Sequence, residues 1–101
     1  MDEIETEVVS WQNTSVCIHK YGGLQFNYIE KEIGRIHSNG LLDVLFKLKT
    51  KGTLMEIGRV SHHHVFIKSG WVSFYIKQPD DKTYAVELLR LKYEELVGFK
   101  K

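Results

Sequence analysis

Three of the chain's five histidines are consecutive, in the stretch Arg59-Val-Ser-His-His-His-Val-Phe-Ile-Lys68. On a strand, alternation sends His62 and His64 to one face and His63 to the other. Two imidazoles on one strand face stand about 7 Å apart at the backbone, close enough to chelate a metal if further ligands arrive. His37 and Asp43 are the candidates for those ligands, so a site requires their strands to pair with the histidine strand. Otherwise the triplet reads as hydrogen-bonding residues at a polar strand start. That is the favoured reading, so neither a metal nor a cofactor is expected.

Other chemistry has weaker support. Ser61, Ser69 and Ser73 lie near the histidines, but no Gly-x-Ser-x-Gly elbow is present. Cys17 shares a strand face with His19, yet nearness in sequence does not make a thiolate. Gly22-Gly23 is a turn rather than a phosphate-cradling loop. The hairpin after the histidines is more informative. Trp71, Ser73, Tyr75 and Lys77 alternate with Val72, Phe74 and Ile76, and the second set is the natural core. Trp71, Ser73 and Tyr75 then face away from it, where aromatic side chains serve a pocket or an interface. Arg90, on the rim of the last apolar helical stripe, is a candidate to anchor an anion or pair with Asp43, although a solvated arginine is the default.

The elements that must position these residues follow from periodicity and turn chemistry. Ile4, Val8 and Trp11 predict a short helix over 2–11, with Asp2, Glu3 and Glu5 at its positive end. Strands are expected over 15–20, 24–28 and 32–38, separated by Tyr21-Gly22-Gly23 and Glu30-Lys31. The segment 41–57 carries two patterns. Leu42, Val44 and Phe46 alternate with Asp43, Leu45 and Lys47, whereas Leu54 and Ile57 fit a helix ended by Gly58. The reading favours a helix over 47–57, in which Gly52 costs about 1 kcal/mol relative to alanine. Strands over 62–67 and 71–77 follow, and Pro79-Asp80-Asp81 opens a last helix over 81–97. The order α-β-β-β-α-β-β-α predicts an α+β two-layer sandwich with a five-stranded antiparallel sheet. Helices cover one sheet face and leave the other open.

The totals limit what such a domain could do. With 101 residues, 43% hydrophobic, the chain suits one globular domain over 1–101. Fourteen basic residues against thirteen acidic ones provide no electrostatic footprint for nucleic acid. A single cysteine allows no internal disulfide, and the acidic start is the reverse of a secretory leader. No apolar run approaches the roughly 18 residues of a membrane span. A cytoplasmic protein is therefore expected, binding a small molecule or a protein and neither membrane nor nucleic acid. The open sheet face would also suit a homodimer.

From Tyr21 to Leu96 the chain resembles the luciferase-domain family. The resemblance rests on Gly22-Gly23-Leu24-Gln25-Phe26, EIGRIHSNGLLDVLF at 32–46, HHVFIKSGWVSFYI at 63–76 and AVELLRLKYEEL at 85–96. The family takes its name from fungal luciferases, which oxidise a hydroxyhispidin-type luciferin with oxygen. The resemblance implies a site around His37, Asp43, His63, His64, Trp71, Ser73 and Arg90, the first four in catalytic roles. The last third also resembles the MmcQ/YjbR-like proteins, which implies an α+β sandwich of the secretion-chaperone type. Three functions follow in order: a ligand- or protein-binding module, an oxygen-using oxidoreductase with histidine acid/base groups, and a metal-binding domain using His62 and His64.

Overall fold

A computed structural model describes residues 2–18, 22–62 and 69–98. The helices are α1 (Asp2–Val9), α2 (Leu48–Ile57) and α3 (Pro79–Gly98). The strands are β1 (Thr14–Ile18), β2 (Leu24–Tyr28), β3 (Lys31–Ile36), β4 (Leu41–Leu45), β5 (Ser61–His62) and β6 (Trp71–Tyr75). They form one sheet in the order β1-β2-β3-β4-β6-β5, antiparallel at every junction.

The described sheet thus has six strands rather than the expected five. The extra strand is β4, from the segment with two competing patterns. Its alternation decides the outcome: Leu42 and Val44 are buried opposite Phe74 and Val72 of β6. Lys47 is still extended, at φ −62° and ψ 149°, so the helix begins only at Leu48. Gly58 ends it in the left-handed region at φ 87°, its N–H donating to the Leu54 carbonyl, as the sequence predicts. The expected strand over 62–67 begins one residue earlier, and 63–68 lie outside the described residues.

Helices and sheet share one core. Ile4 and Val8 of α1, Phe26, Ile33, Leu42, Val44 and Val72 of the sheet, and Leu88 and Leu89 of α3 are almost wholly buried. Each such side chain contributes about 1.5–3 kcal/mol relative to its exposed state. Tyr93 ties the layers together: Trp11 packs on its ring at a tilt and Tyr28 edge-on, with centroids 5.3 Å away in each case, and its hydroxyl donates to the Gln12 carbonyl at 2.9 Å. Gly34 permits the close approach of α3, because a Cβ there would lie 2.8 Å from Leu89 Cδ2. The start of α3 is fixed by Asp81, whose carboxylate accepts the N–H groups of Lys77 and Gln78 at 2.9 and 3.0 Å.

The loop entering β6 is clamped from two sides. Phe46 N–H donates to the Gly70 carbonyl at 3.0 Å, and the buried Lys51 ammonium donates to the Ser69 carbonyl at 2.6 Å. A Cβ on Gly70 would lie 1.9 Å from Phe46 O, so backbone would have to move. Gly52, in contrast, faces open space in α2. Two alanine substitutions should therefore act in opposite directions. Gly52→Ala is expected to stabilise the protein by up to about 1 kcal/mol, and Gly70→Ala to destabilise it by about 1–3 kcal/mol. Denaturant midpoints of the two variants check both signs.

Candidate functional site

Strand register lines up one residue from each strand across the sheet. The row runs Cys17, Gln25, Arg35, Asp43, Ser73 and Ser61. Every member carries a polar or sulfur-bearing side chain, and the row lies on the face opposite Phe26, Val44 and Val72. At its middle, Asp43 is only 3% exposed and Ser73 only 6%.

Asp43 is the hub. Ser73 Oγ donates to Asp43 Oδ1 at 2.7 Å, and His37 Nε2 lies 2.8 Å from Asp43 Oδ2. His37 follows the last residue of β3. Its N–H donates to the Leu41 carbonyl at 2.9 Å, which carries the β3–β4 ladder one step beyond the strand. The imidazole keeps about a third of its surface exposed while the carboxylate is buried. A carboxylate can only accept, so an ionised Asp43 takes its hydrogen bond from an N–H at Nε2.

The arrangement differs from a nucleophilic triad, in which histidine stands between the acid and the hydroxyl. Here the carboxylate stands between them. Ser73 donates a hydrogen bond to Asp43 and has no base at its hydroxyl among these contacts; it fixes the carboxylate that orients His37. The arrangement therefore suits proton exchange by His37 rather than attack by Ser73.

Arg35 extends the site along β6. It donates to both oxygens of Glu32, at 3.0 and 2.7 Å, and its guanidinium carbon lies 5.6 Å from the centre of the Trp71 ring. The hydrogen bond to Glu32 holds the Arg35 pKa above its ordinary value, and the charges of Glu32 and Asp43 reinforce this against burial. Trp71 stands two residues before Ser73 on the same face, about 7 Å along the strand. Tyr75 is two residues beyond Ser73, half exposed, with Lys77 Nζ 5.5 Å from its ring centre.

The structure therefore brings together His37, Asp43 and Ser73, with Trp71 and Tyr75 on the same sheet face. Arg90 is elsewhere. It stacks over Trp11 and Tyr93 at 5.2 and 4.8 Å and pairs with Glu94 at 2.7 Å, in a groove between α1 and α3. His62 pairs with Val72, which puts it on the opposite side of the sheet from Asp43 by register. His63 and His64 lie outside the described residues. Among the described residues no three His, Cys, Asp or Glu side chains are grouped to hold a metal ion. Arg35 and Glu32 were not anticipated from the sequence. The available signal was Arg35 two residues before His37, on the same strand face.

Fold and site define a small α+β sandwich that carries a buried, aspartate-centred hydrogen-bond line on the sheet face opposite Val44 and Val72. The luciferase domain family matches residues 30–92, well over half the chain, and the chain belongs to that family. The match runs from the β2–β3 turn into α3 and includes His37, Asp43, Trp71 and Ser73. No curated protein and no solved structure matches the chain.

The hub should be visible in stability. Asp43→Ala leaves the buried Ser73 hydroxyl without its carboxylate acceptor and opens a void, an expected loss of about 1–3 kcal/mol. Ser73→Ala removes one hydrogen bond and leaves His37 in place, an expected loss of about 1 kcal/mol. Denaturant unfolding of the two variants should preserve that order.

Proposed function

We propose that this domain binds a small organic molecule on the open face of its sheet, and that His37 exchanges a proton with it. The single observation that carries the reading is the buried Asp43 carboxylate, held by Ser73 and turned toward the half-exposed His37 ring. A buried carboxylate costs free energy unless its hydrogen bonds repay it. One that ends on the half-exposed imidazole of His37 also positions that ring at the surface. In this reading His37 is the acid/base group, Asp43 its positioning residue and Ser73 the anchor of Asp43. Trp71 and Tyr75 supply apolar contact to the ligand, with residues 1–101 acting as one cytoplasmic domain.

Family membership favours a second reading, an oxygen-using oxidoreductase. Electron-rich enols and phenols react with oxygen more readily as their anions, and a positioned histidine base would generate such an anion near neutral pH.

The test is a fragment screen by NMR on the intact protein. Binders are expected to shift both the Trp71 indole and the His37 ring signals. His37→Gln should retain binding, read at the Trp71 indole, and abolish the pH dependence of that shift. Binders that leave both signals unmoved would sink the proposal. For the second reading, oxygen uptake with a panel of enols and phenols should fall 10²–10⁴-fold in His37→Gln. Equal uptake by the two proteins would reject His37 as the base.

A further inference from the structure

A second opening lies at the end of the sheet next to Trp71. It is a pocket of about 300 Å³ lined by Lys31, Glu32, Leu45, Trp71, Lys92 and Leu96. Lys31 and Glu32 begin β3, Leu45 ends β4, Trp71 begins β6, and Lys92 and Leu96 come from the last turns of α3. The volume is at the lower end of the range for small-molecule sites.

Its charges are unbalanced. Two lysines line the pocket against one carboxylate, and both oxygens of that carboxylate, Glu32, already accept hydrogen bonds from Arg35. Neither Lys31 nor Lys92 enters an ion pair among the described residues. Glu95 lies outside the lining and accepts from the Thr50 hydroxyl with one oxygen; its other oxygen is buried without a hydrogen bond, and its charge is the main one that opposes the effect of burial on Lys92. The walls between these charges are apolar: the Leu45 and Leu96 side chains and the Trp71 indole, with Arg35 set against that ring. Cations around an aromatic and aliphatic floor match a ligand with an acidic group on an apolar ring.

We propose that this pocket holds the acid group of the domain's ligand, which is a small aromatic or otherwise apolar acid, with Lys31 and Lys92 binding the anion. The proposal rests on the reading that the open face takes a small molecule, and it adds the ligand's class and orientation. Trp71 joins the two parts. Its ring lines the pocket, and its strand continues about 7 Å to Ser73, beside Asp43. A ligand of one or two rings anchored at the lysines would extend its uncharged end toward His37.

The environment of Lys92 adds a pH signature. Burial is the largest influence pushing its pKa below the usual 10.5, and the charges of Lys31 and Lys47 act the same way, while Glu95 and Glu32 oppose them. A bound anion favours the charged amine. Affinity should therefore be full while Lys92 is protonated, and fall as the pH rises through its lowered pKa.

The experiment titrates the intact protein with 2-naphthoate and, separately, with the uncharged 2-naphthamide, following the Trp71 indole and His37 ring signals by NMR. Naphthoate should shift the indole signal and bind about tenfold more tightly than the amide. Lys92→Met and Lys31→Met should each weaken naphthoate by up to about tenfold and leave the amide unchanged. Lys92→Arg should keep its affinity at high pH, because a guanidinium stays charged. Equal affinity for acid and amide, or naphthoate binding unmoved by both lysine substitutions, would overturn the inference. If the amide binds equally well and still shifts His37, the ligand class fails and the open-face reading stands. Lysine-dependent naphthoate binding that leaves His37 unmoved supports the pocket and counts against His37 as its partner. No shift at Trp71 from either probe rejects both.

Discussion

The open face of this domain depends on a carboxylate buried in the middle of its sheet. An unpaired Asp43 at 3% exposure would cost several kcal/mol. It is tolerated because strands on either side bring it partners: β6 supplies the Ser73 hydroxyl, and the end of β3 supplies the His37 imidazole. Both partners depend on register. Ser73 meets Asp43 only with Val44 opposite Val72, and His37 reaches it only while the ladder runs on to Leu41.

Register is in turn held from the other face. A slip of one residue would turn Asp43 toward α3 and expel Leu42 and Val44 from the core. The fully buried Val44 beside Gly34 and Leu89, and the Trp11–Tyr28–Tyr93 cluster, make such a slip costly. The helical layer therefore acts on the site without touching it. It specifies the strand pairing that brings three polar residues from separate elements into hydrogen-bond distance.

These relations explain what could be read in the sequence. The alternation of Val72, Phe74 and Ile76 with Trp71, Ser73 and Tyr75 was legible because only one set suits a core. The helix over 48–57 was legible through Gly58. The strand β4 was ambiguous because Leu41 and Leu45 put apolar side chains on the same face as Asp43, which blurs a two-residue period. His37 and Asp43 could be singled out by type, but their contact needed the β3–β4 pairing, which periodicity does not supply. Of the histidine triplet, which attracted attention by density, His62 is turned by register to the other side of the sheet from Asp43, and His63 and His64 lie outside the described residues. Arg90 looked like an anion anchor by charge. Its helix lies in the layer behind the sheet, where its guanidinium covers Trp11 and Tyr93, away from Asp43.

Arg35 shows why charge counting along a chain misses such a site. Its guanidinium is planar and holds Glu32 with two hydrogen bonds while lying against Trp71, a combination that a lysine's compact ammonium cannot reproduce. Its charge offsets that of Glu32, so Lys31 and Lys92 give a chain of net charge +1 a locally cationic pocket. One residue thus shapes the electrostatics at the Trp71 end of this face, where it holds Glu32 and lies against the indole. A ligand reaching from that end toward His37 would meet cations first and an imidazole last, which gives the face a direction.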